Sequence, residues 1–168
     1  GGSEYAGGIM HYLVEGSIYL LAVECVSIKQ LNNNYHDYLG RWLEYLELGA
    51  PTAIVIPVLT KADLLLEKGR DVTYKALEEV SRGHVEWMTD ALNAHQAKSQ
   101  TGSLGLRIQS DVKILSSIIG GDTSIEGLRH QIEGLILTDQ PMLATIGTNV
   151  SRVMGLTTVF IRALRDGR

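Results

Sequence analysis

Cysteine, proline and phenylalanine are scarce in this chain: among 168 residues there are one Cys, three Pro and one Phe. A lone thiol, Cys25, excludes a disulfide framework and a thiolate metal site, and its place in the apolar run 18–26 makes it a small core residue suited to a reducing compartment. An excess of positive charge is missing too. The 15 Lys and Arg stand against 19 Asp and Glu, net −4, and are scattered, which excludes the electrostatic footprint of a nucleic-acid partner. Apolar runs are only strand-length, so no transmembrane segment and no secretory leader are expected, and the chain reads as soluble and cytoplasmic. His11, His36, His84, His95 and His130 show no metal-ligand spacing, and no zinc enzyme is suggested. Two motifs are also absent, the G-x-S-x-G elbow of serine hydrolases and the phosphate-binding G-x-x-x-x-G-K-[ST].

What remains, 45% hydrophobic and 20% charged, fits one globular domain or one domain plus the start of another. Residues 17–26 and 52–59 are rich in β-forming apolar side chains and predict buried strands; a third strand is expected over 106–115. Between the first two, Tyr35, Leu39, Trp42, Leu43 and Leu46 recur at helical spacing, with Asn32 to Asn34 as N-cap candidates and Gly49 with Pro51 as the stop. After the second strand Leu77, Val80, His84, Trp87, Met88, Ala91, Leu92 and His95 form one helical stripe, with Gly83 as a candidate kink. Thr123 and Glu126 form a capping box for a helix carrying Ile125, Leu128, Ile132, Leu135 and Ile136, and Pro141 ends that unit. Strands alternating with helices imply right-handed crossovers and a parallel, three-layered sheet whose first strand would present an apolar edge. Core packing is the default role for Trp42 and Trp87, and structure that for Tyr5, Tyr12 and Tyr19.

The segment that carries chemistry is Thr60-Lys61-Ala62-Asp63, directly after the second strand. Ligands of open α/β sheets bind outside the carboxyl ends of the strands. A carboxylate there can accept from the N1 and exocyclic amino hydrogens of guanine, the Lys61 stem can lie along the base plane, and Thr60 can brace the loop. The plainer alternative is that Asp63 caps a helix and serves its macrodipole. Gly1-Gly2-Ser3 resembles the tail of an Asp-x-x-Gly switch motif, or is a flexible end or expression remnant.

Taken in order, Gly1-Gly2-Ser3, the Trp42 helix, Thr60 to Asp63 and the Ser116-Ser117 strand end resemble the Roc (Ras of complex proteins) GTPase domain of ROCO proteins. Residues 141–147 and the helix behind them are similar to the entry into the COR region. The long helical segment after Asp63 is most similar to that of animal leucine-rich-repeat members, with death-associated-kinase members as the alternative. The resemblance implies an α/β, three-layer P-loop-NTPase-like (Ras-like) parallel sheet, second half only, over 1–140, followed over 141–168 by a linker and first helix toward COR. It implies GTP/GDP with Mg²⁺ as ligand, and a COR domain and a second Roc copy as protein partners. Gly2 would be the switch glycine. Ser3, too short to orient an attacking water in the usual way, implies slow hydrolysis. Thr60, Lys61 and Asp63 would recognise the base, and Ser116 and Ser117 would present a backbone amide to the guanine carbonyl, although the usual Ala-Lys after Ser is missing. With no phosphate cradle in the sequence, nucleotide binding by this chain alone should be weak or absent, and the chain reads as a fragment or a degenerate copy. The alternatives are a nucleotide-independent interaction or dimerisation domain of the same fold, and an unrelated α/β domain.

Overall fold

The second strand, β2 (Ile54–Thr60), is buried from Ile54 to Leu59 because both of its faces and both of its edges are covered. Burying an Ile, Val or Leu side chain contributes about 1.5–3 kcal/mol, so this one strand carries a large part of the core. The computed structural model of the chain describes residues 13–68, 70–99, 105–116 and 123–138. These fall in two units, 1–133 and 134–168, and only the last turn of one helix, 134–138, is described in the second.

On one side β2 pairs in parallel with β1 (Ile18–Glu24), Ile18 opposite Ile54 and Glu24 opposite Thr60. On the other side it pairs in parallel with two short pieces, β3 (Arg107–Ile108) and β4 (Lys113–Leu115). The expected single strand over 106–115 is therefore interrupted, and Pro57 supplies the reason. Ile54 N–H donates to Ser17 on the β1 side, while the carbonyls of Ala53 and Val55 accept from Arg107 and Gln109. Alternation along the strand puts position 57 on the second side, where proline has no N–H to give. Opposite Ile56 and Pro57, the partner runs through four residues, 109–112, before pairing resumes at Val58↔Lys113. The excess advances the later residues, so Leu115 lies opposite Thr60 and Ser116 just beyond it.

Helices follow the strands as alternation predicts, with shifted boundaries. α1 (Ile28–Asn33) starts earlier than expected: Ser27 is the N-cap, its hydroxyl accepting from Gln30 N–H at 3.3 Å. Asn34 is the C-cap of α1, so Asn32 to Asn34 do not cap the following helix; the chain continues through a π-helical turn (His36–Gly40) into α2 (Arg41–Gly49). Leu31, Leu39, Leu43 and Leu46 from this region face the core. Gly49 is tightly placed, since a Cβ there would come within 2.6 Å of the Leu13 side chain.

The long helix α3 (Tyr74–Ser99) buries Leu77, His84, Met88 and Leu92 against the same cluster that holds Leu21, Val23 and Val55. It continues through Gly83, the candidate kink, without a break in the helix, and nothing lies within 4 Å of a Cβ built there. Trp87 is half-buried against the core and donates to Asn32 Oδ1 at 2.8 Å. Trp42, expected in the core, is instead 39% exposed. It meets Tyr45 edge-on, at 6.1 Å between rings and 89° between planes.

α4 (Thr123–Thr138) begins at the residue expected to cap it; of its apolar stripe Leu128 is buried and Ile125 exposed. In the second unit, Thr138 Oγ1 donates to the Gly134 carbonyl at 2.8 Å. The expected boundary at 140 and the COR-like segment 141–168 lie outside the described residues. Among the described residues no helix is long and apolar enough to cross a membrane. The architecture is thus an open, parallel α/β sheet with flanking helices, in the order β1-β2-β3/β4.

Because Gly83 is an exposed helix-interior glycine with open space beside it, Gly83→Ala is expected to raise unfolding stability by about 0.5–1 kcal/mol. Chemical denaturation checks it. Destabilisation would show that the helix needs the freedom of glycine at this point.

Candidate functional site

Parallel pairing brings the carboxyl ends of β1, β2 and β4 to one side of the sheet, with Glu24, Thr60 and Leu115 in register. Thr60 is tied to β1 by its hydroxyl, which donates to the Val23 carbonyl at 3.4 Å, and by its carbonyl, which accepts from Cys25 N–H at 2.9 Å. The chain then turns sharply. Lys61 has φ 59° and ψ 30°, and among the described residues it is the one non-glycine with positive φ. A left-handed conformation costs an L-residue roughly 1–2 kcal/mol, and such strain gathers at binding sites. The turn lets Ala62 bury completely and starts a 3₁₀ turn (Ala62–Leu65) carrying Asp63.

Two side-chain contacts then organise the strand ends. Ser116, just past β4, donates from Oγ to Asp63 Oδ1 at 2.9 Å. Lys61 Nζ lies 3.0 Å from Glu24 Oε1 at the end of β1. Asp63 is half-buried, and its side chain bonds to another strand's end and not to the backbone of its own turn, so no side-chain cap is formed, although it stands in the first turn, where the macrodipole alternative places it. Between these groups opens a cleft of about 520 Å³. Its polar side is formed by Thr60, Lys61, Asp63 and Ser116, its apolar side by Leu64, Leu115 and Ile125, with Leu64 and Ile125 exposed at the rim.

This donor and acceptor set fits a flat, polar-edged ring. Oδ1 of Asp63 is oriented by Ser116, and Oδ2 has no protein donor among the described residues, so the carboxylate can accept from a ligand with two adjacent N–H groups. The Lys61 stem and the apolar rim offer surfaces for the ring faces. Among the described residues there is no group of three or more His, Cys, Asp or Glu that could hold a metal ion.

Thr60, Lys61, Asp63 and Ser116, singled out from sequence, come together here, whereas Gly2, Ser3 and Ser117 lie outside the described residues. Glu24 and Pro57 were not singled out. Each carried a signal: Glu24 is the one charged residue of the run 17–26, and Pro57 interrupts an otherwise β-forming strand. Behind the site, buried His84 donates from Nε2 to the Val26 carbonyl at 2.6 Å, pinning the segment after β1 to α3.

Cys25 sits beneath the strand ends, 4% exposed. Burial, and then the negative charges of Asp63 and Glu24, push its thiol from an ordinary 9.0 up to about 11. No family model, curated protein or solved structure matches the chain. The functional reading therefore stands on the geometry of the strand ends.

The raised thiol has a consequence for stability. Between pH 9 and 11 the unfolded chain loses the Cys25 proton while the folded chain keeps it, so the native state binds more protons and stability falls as pH rises. The contribution is fully present below pH 9 and is lost through pH 11; Cys25→Ala should show a shallower decline over that window in pH-dependent denaturation. Equal slopes would contradict a buried, charge-flanked thiol.

Proposed function

We propose that the chain is the guanine-reading part of a GTP/GDP-binding regulatory module of ROCO type, a Roc-like Ras-family sheet over 1–140 running into the approach to COR over 141–168. The observation that carries this reading is the Ser116–Asp63 hydrogen bond at the carboxyl end of a parallel sheet, which joins two separately singled-out segments into one base-sized cleft. Asp63 is the guanine acceptor, Lys61 supplies its stem to the base, and Thr60 holds the loop on β1. No hydrolytic step is assigned, since the phosphate-binding sequence is not among the 168 residues. Binding by this chain alone is correspondingly weak.

A second reading has its own support. Among the described residues β1 pairs only with β2, and on the face opposite Leu21 and Val23 it shows apolar side chains: Leu20 is 48% exposed and Ala22 is exposed. Beside it Leu13, Tyr19, Trp42 and Tyr45 help line an apolar groove of about 430 Å³. This favours a nucleotide-independent interaction or dimerisation domain of the same fold, with COR or a second Roc copy as partner.

A titration with a fluorescent GDP analogue in Mg²⁺, chased with GTP or ATP, separates the two. The guanine reading expects saturable binding displaced by GTP and not by ATP. Asp63→Ala should abolish that preference while lowering stability by about 1 kcal/mol, the worth of one hydrogen bond. Binding indifferent to Asp63→Ala, or no binding, would overturn the guanine reading in favour of the interaction domain.

A further inference from the structure

Between α1 and α3 runs a further groove, of about 420 Å³. Asn32 and Tyr35 form one wall, and α3 forms the other with Trp87, Asp90, Ala94 and Lys98. The bond from Trp87 Nε1 to Asn32 Oδ1, at 2.8 Å, joins the walls, so their spacing is set by the fold. Asp90, Ala94 and Lys98 are exposed along it. His95 is turned to Glu47 of α2 at 3.0 Å, and the α1 wall is uncharged, which leaves Asp90 and Lys98 as the two opposite charges that the groove presents. Their placement is symmetrical. Each stands four residues from Ala94, about 6 Å along the helix axis in opposite directions and about 40° to either side around it.

We propose that this groove is the contact face for a second copy of the chain, with the two α3 helices lying antiparallel across a two-fold axis at Ala94. A two-fold contact sets one patch against itself, so a patch carrying a single sign of charge repels its own copy. The antiparallel arrangement instead brings Asp90 level with the partner's Lys98, and Lys98 level with the partner's Asp90. A parallel arrangement would set like against like at both positions, which disfavours it. The proposal is independent of the guanine reading, and it uses a face separate from the apolar groove along β1. A contact of this kind is smaller than the roughly 1,600 Å² of a standard interface, so the dimer is weak and depends on concentration. Its ion pairs are exposed, and salt loosens it.

Sedimentation equilibrium of the full chain over a concentration series tests this, with thermal melting of every variant as the check on folding. The wild-type protein should dimerise reversibly, and less at high salt. Asp90→Lys and Lys98→Asp should each weaken the dimer by about tenfold or more, because either one leaves two like-charge pairs across the axis. An equimolar mixture of the two variants, and the double variant Asp90→Lys/Lys98→Asp, should both recover the wild-type affinity to within about threefold. Glu78→Lys, at an exposed position of α3 outside the groove, should change nothing. Protein that stays monomeric up to its solubility limit would overturn the proposal. A dimer indifferent to both single reversals would overturn it as well and place the contact elsewhere, as along β1. Losses that neither the mixture nor the double variant recovers would overturn the antiparallel pairing.

Discussion

Everything at the candidate site depends on β2 being paired on both edges. Its parallel ladder with β1 places Glu24 beside Thr60, and its ladder with β4 places Leu115 beside the same residue, so three strand ends meet within one register. Were β2 an edge strand, the loop after Thr60 would be a surface turn with nothing across from it. With its edges paired and its side chains covered on the faces, β2 is buried from Ile54 to Leu59 and forms the platform on which Lys61 and Asp63 stand.

Pro57 modifies that ladder at a functional point. By removing a donor on the β4 side it goes with a four-residue detour opposite two, after which pairing resumes two residues further along the chain. The side chain delivered to Asp63 is consequently Ser116, a hydroxyl donor; with a continuous ladder the same place would hold the apolar Ile114. Strain at Lys61 completes the arrangement, because the left-handed turn directs Ala62 into the core and leaves Asp63 facing β4. A weakened ladder and a strained turn, both unfavourable locally, are sustained by the packing of α1, α2 and α3 on one face of the sheet.

The strands and the order of elements were legible in the sequence because their apolar runs are long and bounded by turn residues. The strand over 106–115 was not, since its interruption is caused by a proline on a different strand and only the pairing reveals it. The start of the first helix was misplaced for a related reason: three asparagines outweighed Ser27, which caps because Ile28 and Leu31 already face the core. Trp42 shows that helical spacing identifies a face without saying how far the neighbouring strands extend to cover it. At the site, Thr60, Lys61, Asp63 and Ser116 could be read as types and spacings. Glu24 stands out in the sequence only as the one charge in its run, and its contact with Lys61 follows from the β1–β2 register.

The central claim is that the strand-end cleft recognises guanine through an Asp63 carboxylate held by Ser116. The most direct measurement is a backbone ¹H–¹⁵N correlation spectrum of the chain titrated with GDP and, separately, with ADP. The account predicts saturating shifts confined to the loop after β2 and the end of β4, around residues 60–66 and 115–116, with GDP alone. Shifts elsewhere, equal shifts with ADP, or none with either nucleotide would contradict it.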